Sequence, residues 1–402
     1  MSLQKLLSPA TLNGLSLKNR IIKAATFEGM IREENITEQC IELHTTLARH
    51  DVGLTTLAYC APEADGRLDH THFYIRESVL PTLRQLADNV HAAGGKLSGQ
   101  ISHCGGFSKN KQLQRRRPVA PSLSLNTMGA MYGLLLNQPM NESLMQEVIG
   151  SYKNAAQLMK SAGFDAIEIH FGHGYLLSQF ISPLTNKRND EYGGPIHHRM
   201  RFPLRVLEGI RNVVGSEFPL LAKITMYDDL KGGITLQDSL ETAKILEKNG
   251  IDAIILSAGT SSQNAMLLFH GDSILPGLLH YEKNPVLRFF MQAFKNKFFR
   301  NYPYKPLYLL EQAQQFRDTL QTNLVYIGGA TEPDDLEKVM QAGFDFVQLG
   351  RPLLRDPAMV KHLLQMEKQY RNGCTHCNQC APLMNDPDGI RCVLPAWTTP
   401  AS

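Results

Sequence analysis

The 402-residue chain lacks a strong excess of charge of either sign: 41 Lys and Arg are matched by 38 Asp and Glu spread along its length, leaving a formal net charge of +3. That balance argues against nucleic acid or membrane as the partner and leaves a small molecule as the expectation. No apolar run reaches membrane-spanning length, and the opening Met1 to Ser16 lacks the apolar core of a secretory signal, so a cytoplasmic location is expected. A disulfide framework is missing too. Of the seven cysteines, Cys40, Cys60 and Cys104 are scattered and the other four crowd near the end. No Gly-x-Gly-x-x-Gly turn is present to seat an adenine dinucleotide, and no His-Glu-x-x-His helix to hold zinc.

Hydrophobic residues make up 43% of the chain, enough for a large core. Three segments repeat a pattern: Ser161-Ala-Gly-Phe-Asp-Ala-Ile-Glu-Ile169, Lys248-Asn-Gly-Ile-Asp-Ala-Ile-Ile-Leu256 and Gln341-Ala-Gly-Phe-Asp-Phe-Val-Gln-Leu349. Each follows a helical pattern, places Gly where a helix ends left-handed, and enters an apolar run, the join from helix to buried parallel strand. Eight such runs occur: Ile21–Thr26, Leu54–Cys60, Lys96–Ile101, Ala166–His170, Leu220–Thr225, Ala253–Ser257, Leu324–Ile327 and Phe346–Leu349. Helices are expected to start at Thr235 with Asp238, as a capping box, and at Thr331 with Pro333. Eight strands alternating with helices predict an α/β fold, a (β/α)₈ TIM barrel over residues 1–370, with a doubly wound open sheet as the alternative. Residues 371–402 form an irregular Cys-rich tail. The long connections 104–140 and 259–305 both follow strands and are expected over the catalytic end.

The stretch from Glu168-Ile-His170-Phe-Gly-His173-Gly-Tyr175 through Ser182-Pro-Leu-Thr-Asn186-Lys-Arg188-Asn-Asp190-Glu-Tyr192-Gly-Gly194 to Arg199-Met-Arg-Phe202 resembles the signature of the old yellow enzyme family of NAD(P)H:flavin oxidoreductases. Leu7-Ser-Pro9, Lys18-Asn-Arg-Ile21, Gly94-Gly-Lys-Leu-Ser-Gly-Gln100, Gly328-Gly329 and Leu349-Gly-Arg351-Pro match as well, so the resemblance runs over roughly residues 5 to 370. It implies FMN on the barrel top, NADH or NADPH as reductant, and hydride transfer to an activated alkene of the enone type.

Two histidines at i, i+3 just past a strand can aim both imidazoles at one point. The resemblance makes His170 and His173 the donors that hold a substrate carbonyl oxygen, as in an oxyanion hole; a zinc site or core histidines are the alternatives. It makes Tyr175, a phenol neutral at pH 7, the acid for the α-carbon, against a packing tyrosine. Gln100, ending strand three, carries a carboxamide that suits the flavin pyrimidine edge, against a loop-capping role. Lys223 is a cation at a depth that needs a partner, either the flavin N1 and C2 carbonyl edge or a barrel carboxylate. Many relatives carry Arg there. Gly328, Gly329, Gly350 and Arg351 offer backbone N–H groups and a guanidinium for the phosphate. Ala25, Thr26, Phe27, Ala58 and Tyr59 are expected against the flavin ring. Where many relatives carry Cys or Thr near flavin O4, this chain has Thr26 or Phe27.

Cys374-Thr-His-Cys377-Asn-Gln-Cys380 and Cys392 resemble the cluster segment of the 2,4-dienoyl-CoA reductase branch, with two residues where that branch has three between the second and third Cys. A [4Fe–4S] cluster, zinc and free thiols all remain open. With a cluster, the chain would relay electrons to a separate redox partner. The end at Ser402 leads to the expectation that the further nucleotide-binding domains of that branch are absent. A catalytically silent FMN-binding barrel is the non-enzymatic alternative, and homo-oligomerisation is left open.

Overall fold

The computed structural model describes residues 2–397. The apolar runs form β1 (Ile21–Lys23), β2 (Leu54–Cys60), β3 (Leu97–Ile101), β4 (Ala166–His170), β5 (Leu220–Thr225), β6 (Ala253–Ser257), β7 (Asn323–Tyr326) and β8 (Phe346–Leu349). They pair in parallel and close as a barrel, with Val347 of β8 opposite Ile21 of β1. The closing pair rules out the open sheet, and the fold is a (β/α)₈ TIM barrel. β1 is shorter than its apolar run. Past Lys23 the Ala24 N–H still reaches the Leu349 carbonyl at 2.7 Å, and the chain then turns out over the barrel end.

Alternate residues along each strand feed two apolar layers. Ile22, Leu54, Ala166, Leu221, Ile255, Val325 and Phe346 fill the barrel. Ile21, Ile167, Ile169, Ala222, Ile254 and Val347 face outward into the helical shell. Glu142–Ser161 and Arg201–Val214 are the longest helices of that shell. The same parity turns Gln100, Glu168, Lys223 and Gln348 inward.

The three repeats share one device at the other end of the barrel. Gly163, Gly250 and Gly343 take φ of 95°, 77° and 88°, ending their helices left-handed. Two residues on, the carboxylates of Asp165, Asp252 and Asp345 accept an N–H at the start of the neighbouring strand, from Leu97, Leu220 and Leu324, at 2.8, 2.7 and 2.9 Å. Each carboxylate also pairs with a base: Lys96, Arg211 and Arg317.

Thr235 caps its helix with Asp238 as expected. At the other expected start the cap is Glu332, not Thr331. Glu332 and Asp335 form the capping box, with Pro333 at the first helical turn. The connections after β3 and β6 leave the C-terminal ends of their strands, and the second carries helices Leu275–Tyr281 and Pro285–Ala293. The tail crosses the same end: the Asn378 side chain donates to the Asp272 carbonyl at 2.9 Å and the Ile390 N–H to the Glu28 carbonyl at 2.9 Å. Among the described residues no helix is long and apolar enough to cross a membrane.

Candidate active site

At the end of β4 the chain must turn sharply, and the turn places the chemistry. His173 sits at φ 56°, left-handed for a non-glycine residue, held by its N–H on Thr225 Oγ1 at 2.7 Å. Gly174 follows at φ 78°, where a Cβ would stand 2.4 Å from Thr260 Oγ1, so only glycine fits. His170 and His173 are 4% and 8% exposed, and His170 Nε2 lies 3.0 Å from His173 Nδ1. The outer nitrogens meet hydroxyls: Ser102 Oγ at 3.0 Å from His170 Nδ1, and Ser257 Oγ at 2.7 Å from His173 Nε2. Burial, then His173 and Lys223, drives His170 well below the ordinary imidazole range. Burial and Lys223 bring His173 down to about 3. Both rings are therefore neutral at physiological pH.

Tyr175 packs beside them, its ring 4.4 Å from that of His170. Phe107 and Tyr59 meet it edge-on at 5.0 and 5.4 Å. Burial raises the phenol well above its ordinary value, against a smaller downward pull from the nearby Ser261 hydroxyl. Phe27 closes the aromatic group, 5.7 Å from Tyr59 and 4.4 Å from His72. A cavity of about 220 Å³ adjoins this segment at Gly174 and Phe107, with Thr225, Asp228 and Thr260 in its wall.

Inside the barrel the strand register places Gln100 opposite Glu168 and Lys223 opposite His170. Glu168 gathers three partners: Gln100 Nε2 at 2.6 Å, Lys223 Nζ at 2.8 Å and Gln348 Nε2 at 2.9 Å. Lys223 thus has the barrel carboxylate that its depth required, and Gln100 spends its amide on the same group. Gln348 Oε1 is buried with no partner among the described residues. Over β1 and β2, the buried Lys23 ammonium and Glu28 carboxylate pair, and Glu28 also takes the Thr26 hydroxyl at 3.2 Å and the Ala58 N–H at 3.2 Å. Burial pushes the Glu28 carboxyl up against the pull of Lys23. This pair fixes two of the residues expected against a flavin ring.

Gly328 and Gly329 take φ of 133° and 77°. The descending connection covers them: Tyr304 donates its hydroxyl to the Gly329 carbonyl at 2.9 Å. Arg351 reaches the His270 carbonyl at 2.9 Å and Asn378 Oδ1 at 2.5 Å, tying β8 to the tail. A Cβ at Gly350 would make ordinary contacts with Thr26 Cγ2 at 3.6 Å and Ala24 Cβ at 3.7 Å. FMN fits the polar groups that face inward here: the Lys223 cation, the Gln100 carboxamide, and the buried Gln348 carbonyl, an acceptor left for a ring N–H.

Among the described residues no three His, Cys, Asp or Glu side chains are gathered as a metal site, the four tail cysteines included. Those thiols are close enough to act on one another. Cys380 is pushed up to about 11, by burial foremost, with Cys374, Cys377 and Cys392 adding to it.

The sequence reading missed Ser102, Ser257, Ser261, Glu168 as a hub, Gln348 and the Lys23–Glu28 pair. A polar residue at an inward position of an apolar strand, as in Ile167-Glu-Ile169 and Val347-Gln-Leu349, was the available signal for two of them.

Residues 5–265 match the NADH:flavin oxidoreductase / NADH oxidase family, and the chain belongs to it: an FMN oxidoreductase. It is 38% identical over 389 residues to the 4,4'-dithiodibutanoate disulfide reductase of Rhodococcus erythropolis, covering 96% of this chain and 94% of that one. It is 29% identical over 385 residues to the NADH oxidase of Thermoanaerobacter brockii, covering 93% of this chain but 52% of that enzyme, about half its length. Its fold matches the old yellow enzyme homologue of Zymomonas mobilis, with a TM-score of 0.70 at 21% identity over 93% of this chain and 96% of the other.

Proposed function

We propose that the protein is an ene-reductase: it takes a hydride from NADH or NADPH and delivers it to the β-carbon of an electron-poor alkene conjugated to a carbonyl. The observation that carries this is the hydrogen-bonded line Ser102–His170–His173–Ser257 with Tyr175 beside it. Two nitrogens 3.0 Å apart can both reach one oxygen at about 2.9 Å. An oxygen that enters between the inner nitrogens replaces their mutual hydrogen bond: with both rings neutral, the two serine hydroxyls can donate to the outer nitrogens, and the protons then sit on His170 Nε2 and His173 Nδ1. Those two N–H groups then face one point, and a carbonyl oxygen is the acceptor that satisfies both. Negative charge grows on that oxygen as hydride reaches the β-carbon, and two preorganised donors in a dry site stabilise it. Tyr175, kept protonated by burial and packed against His170, Phe107 and Tyr59, gives its proton to the α-carbon.

Bound FMN supplies the hydride relay between nicotinamide and alkene. Gln100 and Lys223 would hold the polar edge of its ring, with Ala25, Thr26, Phe27, Ala58 and Tyr59 along the ring. Gly328, Gly329, Gly350 and Arg351 would hold the phosphate. Rapid-mixing kinetics of the two half-reactions with cyclohexenone tests the assignment. His170→Ala and His173→Ala should slow alkene reduction by roughly 100-fold or more while sparing flavin reduction; equal losses in both halves would make the pair structural.

A second reading, reduction of organic disulfides, is favoured by the name of the Rhodococcus relative, which matches nearly the whole chain. Steady-state rates with an aliphatic disulfide and with cyclohexenone, under one nicotinamide, separate the two.

A further inference from the structure

The connection between β6 and β7 carries a surface that neither the barrel nor the site accounts for. Helix Pro285–Ala293 has no fully buried residue. Val286, Phe289, Phe290 and Phe294 recur at i, i+3, i+4 and i+8 and are 51, 67, 44 and 47% exposed. The rings of Phe290 and Phe294 stack 5.9 Å apart, and Phe289 lies 6.1 Å from Phe290. Leu287 and Met291, on the other face, are the half-buried ones that seat the helix.

Charge sets the same segment apart. From Lys283 to Lys305 there are six basic residues and no Asp or Glu, twice the formal charge of the whole chain. Among the described residues only Arg300 of these has an ion pair, with Asp229 at 3.1 Å. Lys283, Lys295 and Lys297 are exposed around the aromatic stripe. A second copy packing face to face would bring these like charges together. An interface that is both anionic and apolar satisfies both halves of the surface.

We propose that this helix docks the protein on an anionic lipid surface. The phenylalanines enter the acyl boundary and Lys283, Lys295 and Lys297 meet the headgroup phosphates, the arrangement of an interfacial amphipathic helix. The helix rises from the same barrel end as the site. The start of the connection that carries it is held there by Asn378 on the Asp272 carbonyl and Arg351 on the His270 carbonyl. Docking therefore turns the catalytic end toward the lipid, from which an apolar substrate can be drawn. The proposal stands apart from the ene-reductase assignment, because it rests on a different surface.

Co-sedimentation of the full-length, FMN-loaded protein with vesicles tests it. Vesicles of equal parts phosphatidylcholine and phosphatidylglycerol should pellet the protein, pure phosphatidylcholine should not, and molar salt should release it. Lys295→Gln with Lys297→Gln should weaken partitioning by roughly 25-fold, about five-fold for each lysine. Phe289→Ser, Phe290→Ser and Phe294→Ser together should abolish pelleting with an unchanged melting temperature and unchanged turnover in solution. Equal pelleting with neutral and anionic vesicles, or none with either, overturns the proposal. So does a dimer in sedimentation velocity that the triple Phe variant dissolves, which would assign the face to a second copy.

Discussion

A histidine that cannot take a second proton is useful here as a donor whose tautomer is chosen by its neighbours. Ser102 and Ser257 make that choice at 3.0 and 2.7 Å, one just past the end of β3 and the other at the end of β6. Ser102→Ala and Ser257→Ala should each lower the rate of alkene reduction by roughly 10-fold, less than the loss of a direct oxyanion donor, and leave flavin reduction alone. Substitution by Thr, which keeps the hydroxyl, should restore most of the rate. Half-reaction kinetics on the four variants checks this, and an Ala variant at full rate would remove the serine from the mechanism. Lys223 poses the opposite problem, because its carboxylate partner is already in place. Lys223→Met leaves Glu168 an uncompensated buried charge, which should cost about 3–5 kcal/mol in denaturant unfolding. Adding Glu168→Gln should recover most of that stability. If Lys223 also serves the flavin, the double variant will still show a lower flavin reduction potential; a wild-type potential would confine Lys223 to the ion pair.

At the level of elements, the repeat Gly-Phe/Ile-Asp does stability work at the end of the barrel away from the site. Its glycine ends a helix and its aspartate holds an N–H at the start of the adjacent strand. Asp345→Ala should strand the Leu324 N–H and free Arg317, costing about 1.5–3 kcal/mol. Its FMN content and turnover at room temperature should be those of the parent, since residues at this barrel end support the fold and not the chemistry. Thermal melting with a flavin assay reads both, and a loss of turnover at unchanged stability would contradict the division. The strands were legible because a parallel barrel buries both faces of each one, so every strand reads as a short apolar run. The end of β1 was not: Ala24 to Thr26 stay apolar or small while leaving their neighbours, and only pairing tells the two apart. The cap at Glu332 was missed by one residue because a carboxylate cap and a threonine cap compete next to one proline.

For the whole molecule, what the sequence carried was the motif, and what it withheld was everything that register decides. His170, His173 and Tyr175 lie within six residues, so one turn brings them together. Glu168 meets Gln100, Lys223 and Gln348 only because three other strands align beside β4 or across the barrel from it. The basic aromatic helix escaped because a whole-chain charge count cancels it. The same global view gives a pH expectation. His44, His170 and His173 are held neutral by burial, with His173 near 3, and His72 is brought down to about 4. In the unfolded chain these imidazoles titrate near 6.5. Between that value and their folded values the unfolded state binds protons that the native state refuses. Stability is therefore fully present above about pH 6.5 and falls as the pH drops below it. One pH unit below, each such histidine should cost about 1.4 kcal/mol. Glu63, held down by His103 and Arg115, loses stability in the same direction at lower pH, while Glu28, raised by burial, works against it. Denaturant unfolding at pH 7.5 and 5.5 should show the acid sample less stable by several kcal/mol, while the rate of alkene reduction shows no imidazole titration across that range. A stability that is flat or rises toward pH 5.5 would mean that these histidines accept protons in the fold, and with that the neutral donor pair at the site would be lost.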